Sequence, residues 1–83
     1  MKLVYFAWVR QKIGINEEDF TLPSHVASVR ELAVTLAERG PEFADAFGDL
    51  TRLRAAVNQE HVDFDVSIGP DDEIAFFPPV TGG

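Results

Sequence analysis

The amino-terminal segment, residues 2–10, reads KLVYFAWVR and is apolar at nearly every position between its terminal cations. β-Branched and aromatic side chains favour a strand, and apolar character on both faces favours a strand covered on both sides. One predicted face carries Leu3, Tyr5, Ala7 and Val9, and the other carries Val4, Phe6 and Trp8. After a turn at Gly14, the alternating Phe20 and Leu22 predict the second arm of a hairpin.

The clearest helical pattern follows Ser28, which forms a capping-box sequence with Glu31. The apolar residues that share one helical stripe are Val29, Leu32, Ala33, Leu36 and Ala37. Gly40 followed by Pro41 is a strong stop signal. The pattern therefore predicts a helix from Val29 to Arg39. The next residues, 42–47, predict a short helical turn anchored by Phe43 and Phe47.

The last third of the chain predicts strands only. Residues 51–65 indicate two short strands around a turn at Asn58, a residue type that tolerates the left-handed conformation. The segment EIAFF, residues 73–77, predicts a last strand with alternating faces, Ile74 and Phe76 opposite Ala75 and Phe77. A single amphipathic helix must bury its stripe against a sheet. We therefore predict one α+β domain over residues 1–77, a mixed sheet of about five strands with one main helix.

Composition narrows the function further. The chain has 83 residues, no cysteine and a net charge of −7, which disfavours nucleic acid and anionic membranes as partners. His25 and His61 have no companions at ligand spacing, so no metal is expected. The apolar run near the start is too short to span a bilayer and lacks a cleavage site, so we expect a cytoplasmic protein.

The chain ends with the sequence EIAFFPPVTGG, in which an apolar strand runs into prolines and then into two glycines. Pro78 and Pro79 would end the sheet and stiffen the exit. Residues 78–83 are therefore predicted to be an extended tail, which continues through Val80 and Thr81. Gly82 and Gly83 have no Cβ, so they allow surrounding backbone to approach the chain end closely.

Three segments, LRAAVNQEHVDFD, DDEIAFFPPVTGG and MKLVYFAWVRQKIG, together resemble the small, sulfur-carrying subunit of molybdopterin synthase. Proteins of that family are ubiquitin-like β-grasp domains that end in Gly-Gly. The resemblance includes the family's Arg-x-x-x-Gly turn, here Arg10 and Gly14. The chain departs from the family at Asp71, where glycine is usual, and at His61, where an apolar residue is usual.

The resemblance implies a non-catalytic subunit that carries sulfur on its last residue. An ATP-dependent adenylyltransferase would adenylate Gly83, and a sulfurtransferase supplied by a cysteine desulfurase would convert the adenylate into a thiocarboxylate. The tail, Pro78 to Gly82, would carry this group into the large synthase subunit, which would hold the catalytic residues. Sulfur would pass to cyclic pyranopterin monophosphate within a heterotetramer. No cofactor would be bound by the carrier itself.

Phe6, Trp8 and Phe77 are predicted to lie together on the outer face of the sheet. Aromatic side chains gathered in one exposed patch are typical of an interface. We expect this patch to contact the large subunit, with His61 at its rim. Two other functions share the tail: a sulfur carrier for another pathway, such as thiamine synthesis, and a ubiquitin-like modifier that is conjugated to lysines through Gly83.

Overall fold

A computed structural model of the chain describes residues 1–79. Its elements are β1 (Lys2–Tyr5), α1 (Ala7–Ile13), β2 (Glu17–Asp19), α2 (Val29–Ala37), α3 (Pro41–Phe47), a 3₁₀ turn (Leu50–Arg52), β3 (Arg54–Val57), β4 (Glu60–Val62) and β5 (Glu73–Phe77). The predictions made for Val80, Thr81, Gly82 and Gly83 lie outside the described residues. Within residues 1–79, no helix has the length and apolarity needed to cross a membrane.

The strands form one mixed sheet in the order β2-β1-β5-β3-β4. The central strands β1 and β5 run parallel, and the other neighbouring pairs run antiparallel. Strand β5 lies in the middle of the sheet, as expected for a strand that is apolar on both faces. One face packs in the core, and the other forms part of a shallow outer surface. Sequence reasoning predicted this α+β architecture, and the structure confirms it.

Helix α2 begins where its capping box predicts. The Ser28 hydroxyl accepts a hydrogen bond of 3.2 Å from the Glu31 N–H, and the Glu31 carboxylate accepts one of 3.3 Å from the Ala27 N–H. The helix ends at Ala37, two residues before the predicted end at Arg39. Its buried residues are Val29, Leu32, Ala33 and Leu36, all at 0% exposure. The predicted apolar stripe is therefore the face that packs on the sheet.

The core joins α2 and α3 to one face of the sheet. Leu3, Tyr5, Ile74 and Phe76 supply the sheet side and are at most 1% exposed. The Phe47 ring of α3 lies edge-on to Phe76, with 4.9 Å between ring centroids. Val57, also predicted to face the helix, is only partly buried against this cluster. The predicted helical turn anchored by Phe43 and Phe47 is confirmed as α3, where the two rings stack.

The prediction of a strand through residue 10 is wrong beyond Tyr5. The backbone turns at Ala7, whose φ is 52°, and continues as α1 to Ile13. Val9 points into the core at 0% exposure, with Ile13 four residues later partly buried beside it. An uninterrupted apolar run fits both the strand and the helix period, so the pattern did not separate them. Gly14, with φ of 93°, closes this helix by donating to the Arg10 carbonyl.

The predicted hairpin after β1 is also corrected. Strand β2 pairs antiparallel with β1, with Leu3 opposite Glu18, but α1 connects the two strands in place of a tight turn. Phe20 and Leu22 follow the strand and pack partly buried against the core. The second strand is present, but it is shorter than predicted and ends before the alternating Phe20 and Leu22.

Candidate partner surface and tail exit

The outer face of the sheet, opposite the helices, is shallow and mostly apolar. It forms a concavity of about 450 Å³ lined by Val4, Phe6, Ala56, Gln59, His61, Glu73, Ala75 and Phe77. Phe6 is the most exposed of its large apolar side chains, at 47%. Its titratable lining residues are His61 and Glu73. This composition suits the binding of another surface better than bond-making chemistry.

Three of the predicted interface residues, Phe6, His61 and Phe77, meet in this concavity. The rings of His61 and Phe77 lie 5.0 Å apart between centroids and are tilted by 47°. Ala56 forms the floor at 6% exposure and pairs with both His61 and Ala75 in the sheet. A small floor between two aromatic side chains leaves room for a protruding group from a partner.

Trp8, the fourth predicted interface residue, is not on this face. Because the strand ends at Tyr5, Trp8 lies on α1, where it packs partly buried against the core. The Arg52 guanidinium lies over its indole ring at 4.5 Å from the ring centroid. Sequence reasoning missed Arg52, because a tertiary contact between α1 and the 3₁₀ turn leaves no periodic signal.

The end of β5 is held from both sides, and the tail begins there. The Phe6 N–H donates to the Phe76 carbonyl at 3.1 Å, and Phe77 lies opposite Arg54 in β3. The strand ends at Phe77, directly before Pro78 and Pro79, which have no N–H to extend the ladder. The predicted tail would therefore start from the central strand of the sheet, beside the outer-face concavity.

The beginning of β5 is fixed by a polar turn. The Asn58 side chain donates to Asp72 at 2.9 Å and accepts from the Glu73 N–H at 3.0 Å. The hydrogen bond from Asn58 and a second one from the Gly69 N–H hold the pKa of Asp72 below its ordinary value. Asn58 and Gln59, with φ of 51° and 69°, make the predicted turn between β3 and β4. These contacts set the register of β5 and so keep Ala75 and Phe77 outward.

Asp71, where a glycine was expected from the resemblance, requires no glycine here. Positive φ among the non-glycine residues that the structure describes occurs at Ala7, Asn58 and Gln59, and not at Asp71. The side chain is exposed, and the turn is closed by the Asp72 N–H donating to the Gly69 carbonyl at 3.2 Å. The departure at this position is therefore compatible with the same turn.

Among residues 1–79, no group of three histidine, cysteine, aspartate or glutamate side chains is placed to hold a metal ion. Two of the ionic contacts of this part of the chain lie at its surface. Lys12 pairs with Asp45, and Arg30 pairs with Asp65 at 2.8 Å. The carboxylate of Asp65 thus serves an exposed salt bridge, and its pKa is lowered by the hydrogen bond from Arg30.

The mixed five-stranded sheet with α2 packed across one face defines a ubiquitin-like β-grasp domain. The fold resembles that of SAMP1 from Haloferax volcanii, with a TM-score of 0.77 at 24% identity, covering 100% of this chain and 98% of that one. A Pyrococcus furiosus protein described as molybdopterin converting factor subunit 1 has a TM-score of 0.67 at 28% identity, covering 95% of both chains.

Residues 3–83 match the ThiS family, and the chain belongs to that family. It is 39% identical over 83 residues to the molybdopterin synthase sulfur carrier subunit of Escherichia coli, covering 100% of this chain and 99% of the relative. The human protein of the same name is 29% identical over 86 residues, covering 100% of this chain and 93% of the relative. The similarity therefore extends over the whole chain, including the terminal segment.

Proposed function

We propose that the protein is the sulfur carrier subunit of molybdopterin synthase. The observation that carries this function is the path of β5, which leads from the apolar outer face directly into Pro78 and Pro79. A central strand held on both sides gives the tail a rigid base, and the adjacent concavity gives a partner a place to dock. Relatives with this name along the full chain support the same function.

The proposed chemistry takes place on the carboxylate of Gly83. A carboxylate is a poor electrophile, so an adenylyltransferase would first join it to the α-phosphate of ATP and release pyrophosphate. A persulfide sulfur on a sulfurtransferase would then attack the acyl carbon and displace AMP. A further thiol would cleave the sulfur–sulfur bond and leave a thiocarboxylate on Gly83. A thiocarboxylate is ionised and soft at neutral pH, which makes it a competent sulfur nucleophile.

The tail would deliver this sulfur into a buried site on the large synthase subunit. The six residues from Pro78 to Gly83 reach about 20 Å when fully extended. Glycine at both terminal positions lets a narrow channel close around the reacting carbon. Two carriers in a heterotetramer would supply the two sulfurs of the dithiolene formed from cyclic pyranopterin monophosphate. The side chains that catalyse the transfer belong to the large subunit.

The outer-face concavity is the proposed docking surface for the large subunit. Phe6 and Phe77 would act as aromatic anchors, and His61 would lie at the rim. Aromatic side chains next to a desolvated floor are typical of the residues that dominate binding energy. The same face is the natural surface for the adenylyltransferase, because both proteins must receive the same tail.

Reconstitution tests this function directly. The purified chain is incubated with its adenylyltransferase, ATP and a sulfur donor, and its intact mass is measured. The expected product has one oxygen replaced by sulfur, and it should bind the large subunit and convert cyclic pyranopterin monophosphate. A thiocarboxylate that is not used by the large subunit would indicate a carrier for another pathway. A ladder of lysine conjugates would indicate a protein modifier.

A further inference from the structure

A second concavity, of about 370 Å³, lies on α1 and is lined by Trp8, Gln11, Lys12 and Arg52. We refer to these four residues as the Trp8–Arg52 cleft. The Arg52 guanidinium lies over the indole at 4.5 Å from the ring centroid. This cation–π contact favours a guanidinium placed on the ring, and its N–H groups are hydrogen-bond donors.

Within residues 1–79, the acidic side chains near the cleft form their salt bridges and hydrogen bonds with residues other than Arg52. Lys12 pairs with Asp45, and the Asp49 carboxylate accepts hydrogen bonds from the backbone and hydroxyl of Thr51. The pKa of Asp45 is lowered mainly by Lys12 and that of Asp49 mainly by the hydrogen bonds from Thr51, and the charge of Arg52 lowers both a little further. Yet none of the salt bridges between side chains of residues 1–79 includes it. The chain has fourteen acidic and seven basic residues. An arginine without a salt bridge in the described residues therefore has N–H donors free for a partner.

The cleft is connected by short stretches of chain to the end of β5. Trp8 is two residues beyond Phe6, whose N–H is bonded to the Phe76 carbonyl. Arg52 is two residues before Arg54, which lies opposite Phe77. The two sides of the cleft are thus attached to the two backbone segments that hold the end of β5. A protein that receives the tail in a channel has to surround this end of the sheet.

We propose that the Trp8–Arg52 cleft is a second docking point for the large synthase subunit, and that it accepts a carboxylate side chain from the rim of the tail channel. The inference rests on the proposed function. Guanidinium, ammonium and indole groups are hydrogen-bond donors only, and Gln11 adds the one side-chain acceptor of the lining, so the cleft suits an acceptor. Arginine's planar fork matches a carboxylate with two parallel hydrogen bonds. Tryptophan and arginine are also the residue types most enriched among binding hot spots.

The test measures the affinity of the full chain for its large subunit by titration calorimetry at two salt concentrations. Arg52→Ala is expected to raise Kd about 10-fold and to weaken its salt dependence, and Arg52→Glu to raise Kd further. Arg30→Ala is the matched control, because Arg30 is also exposed and also lies over an aromatic ring, Phe64, at 5.9 Å. It should change Kd less than about 2-fold. Thermal melting checks that each variant is folded.

A lysine scan of the acidic residues of the large subunit then tests the chemistry of the occupant. One lysine variant should restore affinity for Arg52→Glu while weakening the wild-type carrier. Wild-type affinity in both Arg52 variants would overturn the inference. A defect confined to adenylation would also overturn it. So would a gain in affinity, because that result would assign the cleft to the chain's own terminal carboxylate. If the wild-type chain itself does not bind the large subunit, the proposed function has failed instead.

Discussion

The hydroxyl of Tyr5 donates a hydrogen bond of 2.8 Å to the carboxylate of Glu18, tying a buried residue of β1 to the edge strand β2. The Arg39 guanidinium binds both oxygens of the same carboxylate at 3.0 Å and lies over the ring of Phe43. Burial, helped by the bond to Glu18, raises the pKa of Tyr5 above its ordinary value. Strands β1 and β2 and the segment that follows α2 are therefore joined at one carboxylate.

This carboxylate should make the fold sensitive to acid. Burial disfavours the charged form of Glu18, but the hydrogen bonds from Arg39 and Tyr5 outweigh it and lower the pKa below its ordinary value of 4.5. A group whose folded pKa is depressed stabilises the fold above its unfolded pKa and loses that contribution as pH falls through the folded pKa. Glu18→Gln should therefore cost about 1–3 kcal/mol near neutral pH. In melts from neutral to acidic pH, its deficit should shrink below about pH 4.5.

The neighbouring Glu17 provides the control for this prediction. Its side chain is 53% exposed and pairs with Lys2 at 3.1 Å. Solvent screens such a pair, so Glu17→Gln should leave the melting temperature almost unchanged. If Glu17→Gln and Glu18→Gln lose stability equally at every pH, the network around Glu18 does not have the role assigned to it.

Leu36 tests the packing of α2 on the sheet. It is at 0% exposure within the predicted stripe, whereas Val34 on the same helix is 57% exposed. Leu36→Ala should lower the free energy of unfolding by about 2–5 kcal/mol, because the substitution leaves a cavity in the core. Val34→Ala should change it by no more than about 0.5 kcal/mol. Urea titrations followed by circular dichroism compare the two variants, and equal losses would contradict the assigned face.

The sequence predicted those elements whose signals are local. Helix α2 has its cap at Ser28 and its stripe within the same stretch of chain, and Asn58 marks a turn by its own conformational preference. Helix α1 was missed, because its apolar residues fit both the period of a strand and the period of a helix. The run of polar residues at Arg10, Gln11 and Lys12, which interrupts strand alternation, was the available signal.

The surface features were predictable only in part. The outward position of Phe77 follows from alternation along β5 alone, and the structure places it there. The position of Phe6 depends on where β1 ends. The prediction that Trp8 lies on the outer face was wrong because β1 ends at Tyr5 and Trp8 belongs to α1. The contact between Trp8 and Arg52 depends on how α1 is oriented on the fold, which no short-range pattern encodes.

Phe76 and Phe77 are adjacent in sequence but should have separate roles. Phe76 is at 0% exposure in the core, whereas Phe77 lines the outer-face concavity. Phe77→Ala should weaken binding to the large subunit by about 2 kcal/mol or more while the isolated chain remains folded. Phe76→Ala should instead destabilise the fold by about 3–5 kcal/mol. Calorimetric binding and thermal melting of both variants test this, and a folded Phe77→Ala variant with full affinity would exclude Phe77 as an anchor.

The proposed chemistry requires Gly83 to carry a free α-carboxylate. An alanine added after Gly83 would turn the Gly83 carboxylate into an amide and move the terminal carboxylate about 3.5 Å beyond the reacting centre. Deleting Gly83 would retain a carboxylate but place it about 3.5 Å short of the reacting centre. We expect both variants to melt like the wild type, because the buried core residues of the described part of the chain lie between Leu3 and Phe76.

Intact-mass measurement with the adenylyltransferase, ATP and a sulfur donor reads out the reaction on each chain end. The wild type should gain sulfur, and both the extended and the shortened chain should react much more slowly, because each has its terminal carboxylate out of position. Gly82→Val supplies the matched control for the channel, since it preserves the terminal carboxylate but adds a β-branched side chain beside it. It should lower the rate of sulfur transfer without changing the melting temperature. An extended chain that is thiocarboxylated and supports pterin sulfuration as well as the wild type would exclude the proposed mechanism, because that mechanism requires the reacting carboxylate at the position of Gly83.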